Sequence, residues 1–463
     1  MTNRAADVIR WRDRVTRAPH DAIAWHNLAA AEGDLGRVSA AAVAARRAIA
    51  LGGTAAETWL VLARAEQSLG RLDEAAAAFN DALVRKPGYA DAHRDCAQLV
   101  WMRTGSKDEA LARINTAILD APRDASLHLV RSVVLEFAGD RETSLQAANE
   151  GLARTASDCG LLLQAAHLEA EAGSATRALA LAERALVLAG QAGSRVAATA
   201  HRANIARCEA LLALGRVADV DAVLHPLLDA LPDNQYLIAL QSTTWRLAGD
   251  SRYATLHDYD SLVATRTLSP PAGSSLRDFL SDVSAELETM HRFVAHPFQQ
   301  SVRGGGQLTF SEDDMRRPMI AALFQSIATA VHAHLAALGS GNDPMRGRNT
   351  GRAAFTGAWS VRVRSGGSHV DHVHPQGWLS SACYLSLPPT LGSGAGDDGE
   401  IDRAGWLRLG RPGIRTIPPL AADRYLTPEL GLLALFPAYM WHGVEPFAGD
   451  APRLSVAFDV IPG

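Results

Sequence analysis

Residues 59–87 read WLVLARAEQSLGRLDEAAAAFNDALVRKP, and this stretch decides the fold of the first half of the chain. Gly70 separates two segments of helical periodicity and Pro87 closes the second, because glycine permits a turn at a helix end and proline cannot continue a helix. Small residues stand where two packed helices must approach closely, at Ala63, Ala75 and Ala82. Large apolar residues supply the packing stripe, at Trp59, Leu62, Phe79 and Leu83. The stretch therefore predicts a pair of packed helices.

The glycine at the turn recurs along the first 250 residues. Gly36, Gly70, Gly105, Gly139 and Gly173 are 34, 35, 34 and 34 residues apart, Gly215 follows after 42 and Gly249 after another 34. Three prolines each lie 17 residues after one of these glycines, namely Pro87, Pro122 and Pro232. A fixed period of this length indicates an array of helical repeats. The longer interval predicts one unit with longer helices or a longer turn, around residues 190–199.

The spacing and the residues of this unit resemble the tetratricopeptide repeat, over about residues 20–255 and in about seven units. We therefore expect residues 1–255 to form an α-helical solenoid, and the resemblance implies a concave groove that binds a protein or peptide. The sequence TLSPPAGSS (residues 267–275) is a plausible boundary, because proline, glycine and serine favour loops. We assign residues 256–289 to a helical linker and 290–463 to a second domain with strand-like alternation.

Composition and charge exclude several classes of protein. A length of 463 residues predicts more than one domain, and 48% hydrophobic with 21% charged residues is typical of soluble globular proteins. The net charge of -5 gives no sign of a nucleic-acid partner. The four cysteines form no CxxC pair, which speaks against a zinc knuckle or a disulfide framework and predicts a cytoplasmic location. The polar N-terminus and the lack of a run of eighteen apolar residues predict neither a secretory signal nor a membrane span.

In the second half, residues 369–388 read HVDHVHPQGWLSSACYLSLP and concentrate potential metal ligands. The flanking sequences alternate or are rich in strand formers, so these ligands are expected at a strand end. Neighbours two apart share a face of a strand, which pairs His369 with Asp371 and His372 with His374; only a bulge would let both pairs point inward. By contrast, residues 332 and 334, both histidine, lie in a helical segment, where positions two apart diverge, and are expected to bind no metal.

A second block, residues 431–462, reads GLLALFPAYMWHGVEPFAGDAPRLSVAFDVIP. His442 follows an apolar strand and a turn at Pro437, and Arg453 comes eleven residues later on an alternating strand, on the same face as Ser455. An arginine that faces the inside of a β-barrel needs an anionic partner, because burying it unpaired is costly. Its planar guanidinium fits a carboxylate with two hydrogen bonds.

These two blocks resemble the 2-oxoglutarate- and Fe(II)-dependent oxygenases, whose fold is a double-stranded β-helix, also called a jelly roll or cupin-like fold. They are most similar to a bacterial branch that places such a domain after tetratricopeptide repeats. The segment HPFQQSVRGGGQL (residues 296–308) resembles the start of that domain, so the resemblance covers nearly all of residues 290–462. It implies a multidomain α and β protein with Fe(II), 2-oxoglutarate and dioxygen as its cofactor and co-substrates.

The resemblance places the HxHP motif on His372, His374 and Pro375, and it places the metal ligands on His372, His374 and the distant His442. This departs from the usual set of two histidines and one carboxylate. Two alternatives stay open: water in place of His374, as in the aspartyl/asparaginyl hydroxylases, or a set of His369, Asp371 and His442. In the second alternative the usual carboxylate is restored.

The same resemblance assigns the co-substrate site. Arg453, with Ser455, takes the position that grips the distal carboxylate of 2-oxoglutarate, and Ser381 or Tyr384 is expected to contact the co-substrate as well. Arg303 and the glycines after it are considered for a loop at the mouth of the site, or for a plain surface turn. The glycine- and acid-rich segment of residues 388–405 is interpreted as an insertion between core strands, either a lid or a disordered segment without a role.

Four functions agree with these residues. The first is a hydroxylase of a protein or peptide that the repeats recruit, as the pairing of modules suggests. The second is a cupin-like dioxygenase with three histidines that does not use 2-oxoglutarate, in which Arg453 would have no evident role. The third is a hydroxylase of a small molecule, and the fourth is a repeat scaffold that binds metal without turnover.

Overall fold

The computed structural model describes residues 4–155, 157–191, 197–389, 391 and 401–463. Two of the predicted features fall partly outside these residues. The longer helices or longer turn expected around residues 190–199 would include residues 192–196, which are not described. The expected insertion at 388–405 includes residues 390 and 392–400, which are not described either.

The first 250 residues form helices in pairs. Their bounds are α1 Arg4–Arg17, α2 Ala22–Asp34, α3 Val38–Ala50, α4 Ala56–Ser68, α5 Leu72–Arg85, α6 Ala90–Thr104, α7 Lys107–Asp120, α8 Ala125–Phe137, α9 Arg141–Thr155, α10 Cys159–Glu171, α11 Ala175–Gln191, α12 Ala197–Ala213, α13 Val217–Ala230 and α14 Gln235–Ala248. All seven periodic glycines follow the first helix of a pair with a positive φ, between 67° and 87°. Glycine adopts this region without the strain that a Cβ would cause. The predicted helical repeat solenoid is thereby confirmed.

The pair α4 and α5 shows why small residues are needed. Ala63, Ala75 and Ala82 are fully buried, and so is Phe79. Burying a side chain such as that of Phe79 contributes about 1.5–3 kcal/mol, whereas a larger residue at Ala75 would force the two helices apart at about 1–3 kcal/mol. Trp59 is only half-buried, and the guanidinium of Arg85 lies 4.4 Å from the centre of its ring.

The chain divides into two compact units, and the first consists of Met1–Ala156 with Phe310–Ala321. Within this unit, the later segment packs on the first repeat. The backbone N–H of Glu312 donates to the carbonyl of Gly36 at 3.2 Å, and the Nε of Arg37 donates to the Glu312 carboxylate at 2.7 Å. Ser39 donates to Asp313 at 2.6 Å. These contacts join residues that are more than 270 positions apart in the sequence.

The second unit consists of Ser157–Thr309 and Ala322–Gly463, so it contains α10–α14 together with the β-rich region. The sequence modules 1–255, 256–289 and 290–463 stay a prediction. The compact units are separated between α9 and α10, so their boundary is not one of the module boundaries. The segment 256–289 is not wholly helical. It contains strand Ala264–Thr267, which pairs with Leu432–Leu435, so the sheet begins before residue 290.

The strands form one curled antiparallel sheet. Their bounds are β1 Ala264–Thr267, β2 Val302–Thr309, β3 Ala353–His372, β4 Leu379–Ser386, β5 Leu407–Leu409, β6 Arg424–Leu426, β7 Leu432–Pro437, β8 His442–Val444 and β9 Arg453–Pro462. Their order is β1-β7-β4-β9-β3-β8-β5-β6, and β2 pairs with β3. This sheet is of the jelly-roll, cupin-like type, as predicted.

Strand β3 passes from one partner to another. Residues 353–363 pair with β9, whereas His369 and His372 pair with β8, and the register shifts between these two histidines. This register shift is a bulge or irregularity of the kind that would relax the parity rule. It breaks the strict alternation of side chains, because an extra residue on one strand turns the next side chains to another face.

The remaining helices are α15 Arg252–Leu256, α16 Tyr259–Leu262, α17 Leu276–Met290 and α18 Pro318–Leu338. Among the described residues, α18 is the one helix long and apolar enough to cross a membrane by length and composition, a test that buried helices of water-soluble proteins also pass. Its buried residues recur at helical spacing, at Leu323, Ile327, Val331, Leu335 and Leu338. As predicted, residues 332 and 334 lie on this helix, where His332 is exposed and His334 is buried.

Candidate metal centre

Three histidines converge where two strands end. His372 is the last residue of β3 and His442 the first of β8, and the two are direct partners in the sheet. His374 lies just beyond the strand, and its backbone N–H donates to the carbonyl of Ala438 at 3.1 Å. Their ligand atoms all lie within 4.8 Å of one another. The structure thus brings together the two histidines of the HxHP motif and the distant His442.

Each of these imidazoles has its Nδ1 atom occupied. His372 Nδ1 lies 2.9 Å from the carbonyl of Val370, and His442 Nδ1 lies 2.9 Å from the carbonyl of Met440. A carbonyl oxygen only accepts hydrogen bonds, so both Nδ1 atoms carry the proton and both Nε2 atoms keep a free lone pair. This is the tautomer that binds a metal through Nε2.

His374 reaches the same tautomer through a carboxylate. Its Nδ1 lies 2.7 and 2.6 Å from the two carboxylate oxygens of Asp459, and its Nε2 lies 3.0 Å from the Nε2 of His372. Two ligand atoms that bind one metal at about 2.1 Å and at right angles are about 3.0 Å apart. The separation of these nitrogens therefore fits a metal bound by both imidazoles.

Burial keeps two of the imidazoles neutral, those of His372 and His442. Burial, followed by the neighbouring His374, lowers the pKa of His372 to about 3. Burial, followed by His372 and His374, likewise holds the pKa of His442 well below its usual value. Neutral imidazole is the form that ligates metals, so His372 and His442 can bind a cation without first having to release protons near neutral pH.

Asp459 is a site residue that the sequence reasoning missed. It lies on β9 at the same strand parity as Arg453 and Ser455, and that parity was the available signal. Its carboxylate also accepts a hydrogen bond from Ser380 at 2.7 Å. A carboxylate behind a metal-binding histidine orients the ring and makes its free nitrogen a better donor to the metal.

The alternative set with Asp371 is not assembled. Asp371 accepts hydrogen bonds from the guanidinium of Arg408 at 2.7 and 3.2 Å and from Arg411 at 2.6 Å. His369 Nδ1 lies 3.1 Å from the hydroxyl of Ser301, and burial and the charge of Arg453 keep its pKa well below the usual value. The register shift after His369 separates this pair from His372 and His374.

Arg453 is fully buried without a carboxylate partner among the described residues. Its Nη1 donates to the carbonyl of Gly405 at 3.1 Å, and its Nε has no partner in the part of the chain that the structure describes. The guanidinium lies 4.9 Å from the ring centre of Tyr384, whose buried hydroxyl is likewise without a partner there. Burial lowers the pKa of Arg453. A guanidinium always carries its charge in a protein, so this site fits a small anion such as a carboxylate.

The other predicted co-substrate residues fall on different faces. Ser455 is buried at the parity of Arg453 and pairs in register with Tyr384. Ser381 does not share that face, because it lies three residues from Tyr384 on the same strand. Its hydroxyl donates to the carbonyl of Phe458 and accepts from the N–H of that residue, both at 2.9 Å. The Ser381 hydroxyl therefore stabilises the pairing of β4 with β9. Ser380 is the serine of β4 that contacts the site, because it donates to Asp459.

Arg303 and its glycines do not form a loop at the mouth of the site. They belong to β2, where Gly305 pairs with Val363. A Cβ at Gly305 would lie 2.4 Å from the carbonyl of Arg362, so close strand approach explains the glycine. Arg303 donates to the nearby carbonyls of Gln300 and Val302 at 2.6 and 2.9 Å.

Aromatic rings surround the histidines. The ring of Trp359 stacks on His374 with centres 5.4 Å apart and planes inclined by 28°. The ring of Phe436 lies 4.7 Å from that of His442. Such rings fix the imidazole orientations and exclude water from the side of the site that they cover.

Comparisons with known families agree with this site. Residues 357–459 match the family model described as "Putative 2OG-Fe(II) oxygenase", and this range includes the three histidines, Arg453 and Asp459. Residues 68–133 match the tetratricopeptide repeat. One region of the chain thus matches the tetratricopeptide repeat and another matches an oxygenase family.

Solved structures resemble only part of the chain. A tetratricopeptide repeat protein of Thermus thermophilus, TTC0263, is 22% identical over 41% of this chain and 99% of its own, with a TM-score of 0.31. PilW, a type IV pilus biogenesis factor, is 17% identical over 46% of this chain and 94% of its own, with a TM-score of 0.34. YrrB, a tetratricopeptide repeat protein with an unusual peptide-binding site, is 16% identical over 38% and 91%, with a TM-score of 0.25. No curated protein matches the chain.

Proposed function

We propose that this protein is an Fe(II)- and 2-oxoglutarate-dependent oxygenase that hydroxylates a protein or peptide recruited by its repeats. One observation carries the proposal. Within the part of the chain that matches the oxygenase family, three imidazoles present their Nε2 atoms to one point, and the match also includes a buried arginine that has no counter-ion among the described residues.

The residues fit a bound iron. The Nε2 atoms of His372, His374 and His442 would hold it, and three protein ligands leave positions for the keto-acid group and dioxygen. Bound Fe(II) supplies the activation of dioxygen that couples decarboxylation of 2-oxoglutarate to succinate with hydroxylation of a C–H bond. Asp459 retains the Nδ1 proton of His374 through its two close contacts, which keeps this ring in the ligating tautomer.

Arg453 would bind the distal carboxylate of 2-oxoglutarate. Among the described residues, no protein group pairs with its Nε or with the hydroxyl of Tyr384, so both are available as donors. A bidentate contact in a buried site is strong, because the charge-assisted hydrogen bonds form where water does not compete. Ser455, on the same face, would complete the polar end of the co-substrate site.

The repeats support a macromolecular substrate. Tetratricopeptide repeats build extended surfaces suited to proteins and peptides. The similar protein YrrB is described as having a peptide-binding site. A hydroxylase of a small molecule is the alternative within the same chemistry, and a comparison of peptides with free metabolites as substrates separates the two.

A second candidate is a three-histidine dioxygenase that does not use 2-oxoglutarate. The ligand set favours it, because no carboxylate joins the group formed by His372, His374 and His442 among the described residues. The buried charge of Arg453 favours the first candidate, since an unpaired guanidinium in the core is costly without an anionic ligand. A non-catalytic metal scaffold would give neither turnover nor binding of 2-oxoglutarate.

The deciding experiment measures 2-oxoglutarate binding and succinate formation by the full chain with Fe(II), in the presence and absence of candidate peptides. Arg453→Met should weaken 2-oxoglutarate binding by about 30- to 3,000-fold, the equivalent of about 2–5 kcal/mol for one partner of a buried charge pair. Binding of Mn(II) should be unchanged. Arg362→Met is the control, because that arginine pairs with Glu288 on the other face of β3.

The outcomes separate the candidates. Consumption of dioxygen without any need for 2-oxoglutarate would select the three-histidine dioxygenase. Metal binding without 2-oxoglutarate binding or turnover would select the scaffold. An unchanged affinity of Arg453→Met for 2-oxoglutarate would remove the role proposed for this arginine.

A further inference from the structure

Helix α14, the last helix of the repeat array, contacts both chain segments that carry the histidines. At its start, the backbone N–H of Gln235 donates to the carbonyl of Pro375 at 3.3 Å, one residue after His374. Two turns later, the hydroxyl of Thr243 accepts a hydrogen bond from the indole N–H of Trp441 at 3.0 Å, one residue before His442. Helix and sheet belong to the same compact unit.

Apolar packing joins the same partners. Ala239 of α14, Val373 and Trp441 form one buried cluster, and Tyr236 packs against it. The ring of Tyr236 meets that of Trp441 edge-on, with centres 5.6 Å apart. Val373 stands between His372 and His374 in the sequence. Each of the three histidines is therefore a direct neighbour of a residue that α14 touches.

The sheet alone does not fix these two segments. His374 lies past the end of β3, and Trp441 lies in the turn before β8, so neither has its own place in a strand ladder. The carbonyl of Trp441 accepts from the N–H of Gly410 at 2.8 Å, and the carbonyl of Gly410 accepts from Arg246 of α14, also at 2.8 Å. Two sets of hydrogen bonds thus connect the backbone next to His442 with α14, one through Thr243 and one through Gly410 and Arg246.

We propose that α14 is the positioning element of the metal centre, with Thr243 as the positioning residue for His442. This proposal rests on the proposed metal site. The repeat array is then more than a recruiting surface, because its last helix sets the distance between the HxHP segment and the distal histidine. Thr243 touches no metal ligand itself and acts through Trp441.

The chain offers a closely matched control in the adjacent residue. Thr243 and Thr244 are equally buried, each 2% exposed, and each hydroxyl donates to the carbonyl four residues before it at 2.8 Å. Only Thr243 also accepts from Trp441. Replacement by valine keeps the shape and removes the hydroxyl in both cases, so the pair isolates the contact with the indole.

The experiment compares Thr243→Val, Thr243→Ser and Thr244→Val in the full chain. Mn(II) and Co(II) affinities are measured by titration, the Co(II) absorption spectrum reports the ligand geometry, and thermal unfolding of the metal-free protein reports stability. We expect Thr243→Val to weaken metal binding roughly tenfold, the low end of the 10- to 100-fold loss for outer-shell contacts. The Co(II) spectrum should change as well. Thr243→Ser should restore both, and Thr244→Val should match the wild type.

A second measurement keeps the test independent of folding defects. In a Trp441→Phe background, Thr243→Val should cause no further loss of metal affinity, because the hydrogen bond is already absent. Equal affinities and spectra for Thr243→Val and Thr244→Val would overturn the proposal, as would additive effects of the two changes. A wild-type chain that binds no metal would instead refute the proposed function, and the positioning role with it.

Discussion

Asp459 shows how one residue behind a ligand can determine what the ligand does. Its carboxylate lies within 2.7 Å of the His374 Nδ1 atom through both oxygens, while Ser380 donates to it from the neighbouring strand. With a carboxylate on Nδ1, the imidazole is held in one tautomer and its Nε2 becomes more basic. The three-histidine set, which has no carboxylate ligand among the described residues, thus acquires a negative charge just behind one of its rings.

We expect Asp459→Asn to weaken metal binding by about tenfold or more while the fold is kept, because asparagine has the same shape but carries no charge. Competition of Fe(II) or Mn(II) with a chromophoric chelator measures the loss. Ser380→Ala is the control, since it removes a hydrogen bond to the same carboxylate and leaves the charge in place. Equal losses in the two variants would mean that the charge of Asp459 has no special role.

At the scale of single residues, the sequence predicts the residues that belong to a motif. It does not predict a residue that acts on the site by contacting a motif residue. His372, His374, His442 and Arg453 lie in a spaced motif, and the structure brings the three histidines together and buries Arg453. Asp459 stands in no motif. Its role depends on the pairing of β9 with β4, which brings it opposite Ser380, and that pairing is long-range information. The contact of Ser381 with the co-substrate stays a prediction, and in the structure its hydroxyl is bonded to the backbone of Phe458.

Substitution of Asp371 distinguishes the two possible ligand pairs, His369 with Asp371 and His372 with His374. Asp371→Ala should leave metal affinity intact, since its carboxylate is occupied by Arg408 and Arg411. It should lower the stability of the protein by about 3 kcal/mol, the lower end for breaking a buried pair, because Glu445 still faces Arg408 at 3.2 Å.

Denaturant unfolding and metal titration of the same variant provide both readouts. Asp260→Ala is the comparison for a surface pair, with Arg424 as its exposed partner, and should cost about 0–1 kcal/mol. Loss of metal binding in the folded Asp371→Ala protein would restore the set of two histidines and one carboxylate.

At the scale of elements, helices follow from local sequence and the sheet does not. The glycines with positive φ end helices wherever the 34-residue period places them, because a helix end needs only nearby residues. The conformation of strand β3 depends on residues that are distant in the sequence. Its register shift between His369 and His372 depends on β8, some 70 residues later in the chain, so alternation alone leaves the inward pair undecided.

Helix α18 carries a buried histidine whose effect on stability can be measured. Burial, followed by Arg266, lowers the pKa of His334 to about 4, and its Nε2 has no partner. Because the folded pKa lies below the unfolded value of about 6.5, the unfolded chain binds the proton first as the pH falls. Stability is therefore lost as the pH falls from about 6.5 towards 4.

His334→Leu should remove this contribution, so that stability depends on pH less steeply, by up to about 1.4 kcal/mol per pH unit. Urea unfolding at several pH values between about 7 and 4.5 measures the slope. His332→Leu, on the exposed side of the same helix, controls for the loss of one histidine. If both variants changed the slope equally, burial would not be its cause.

For the whole molecule, the compact units differ from the sequence modules. The repeat period runs through α1–α14, yet α10–α14 cluster with the sheet and the metal centre, while α1–α9 cluster with residues 310–321. Repeats contact mainly their neighbours, so an array can divide between any two of them. The sequence shows the period but not this division, because the contacts of α14 with Pro375 and Trp441 lie far apart in the chain.

This division makes a prediction about unfolding. A chain with two compact units is expected to depart from two-state behaviour and to unfold in two steps.

A ligand that binds only the folded form stabilises it by about 2.7 kcal/mol at a hundred times its dissociation constant. The histidines lie in the unit of residues 157–309 and 322–463, so Mn(II) should raise the midpoint of one transition and leave the other in place. Hydrogen exchange should slow in α14 and in the strands around the site, but not in α1–α9. His442→Ala should abolish the shift while keeping both transitions. A single transition that moves as a whole with metal would instead show that the units unfold together, in which case the first repeats would be energetically coupled to the candidate metal centre.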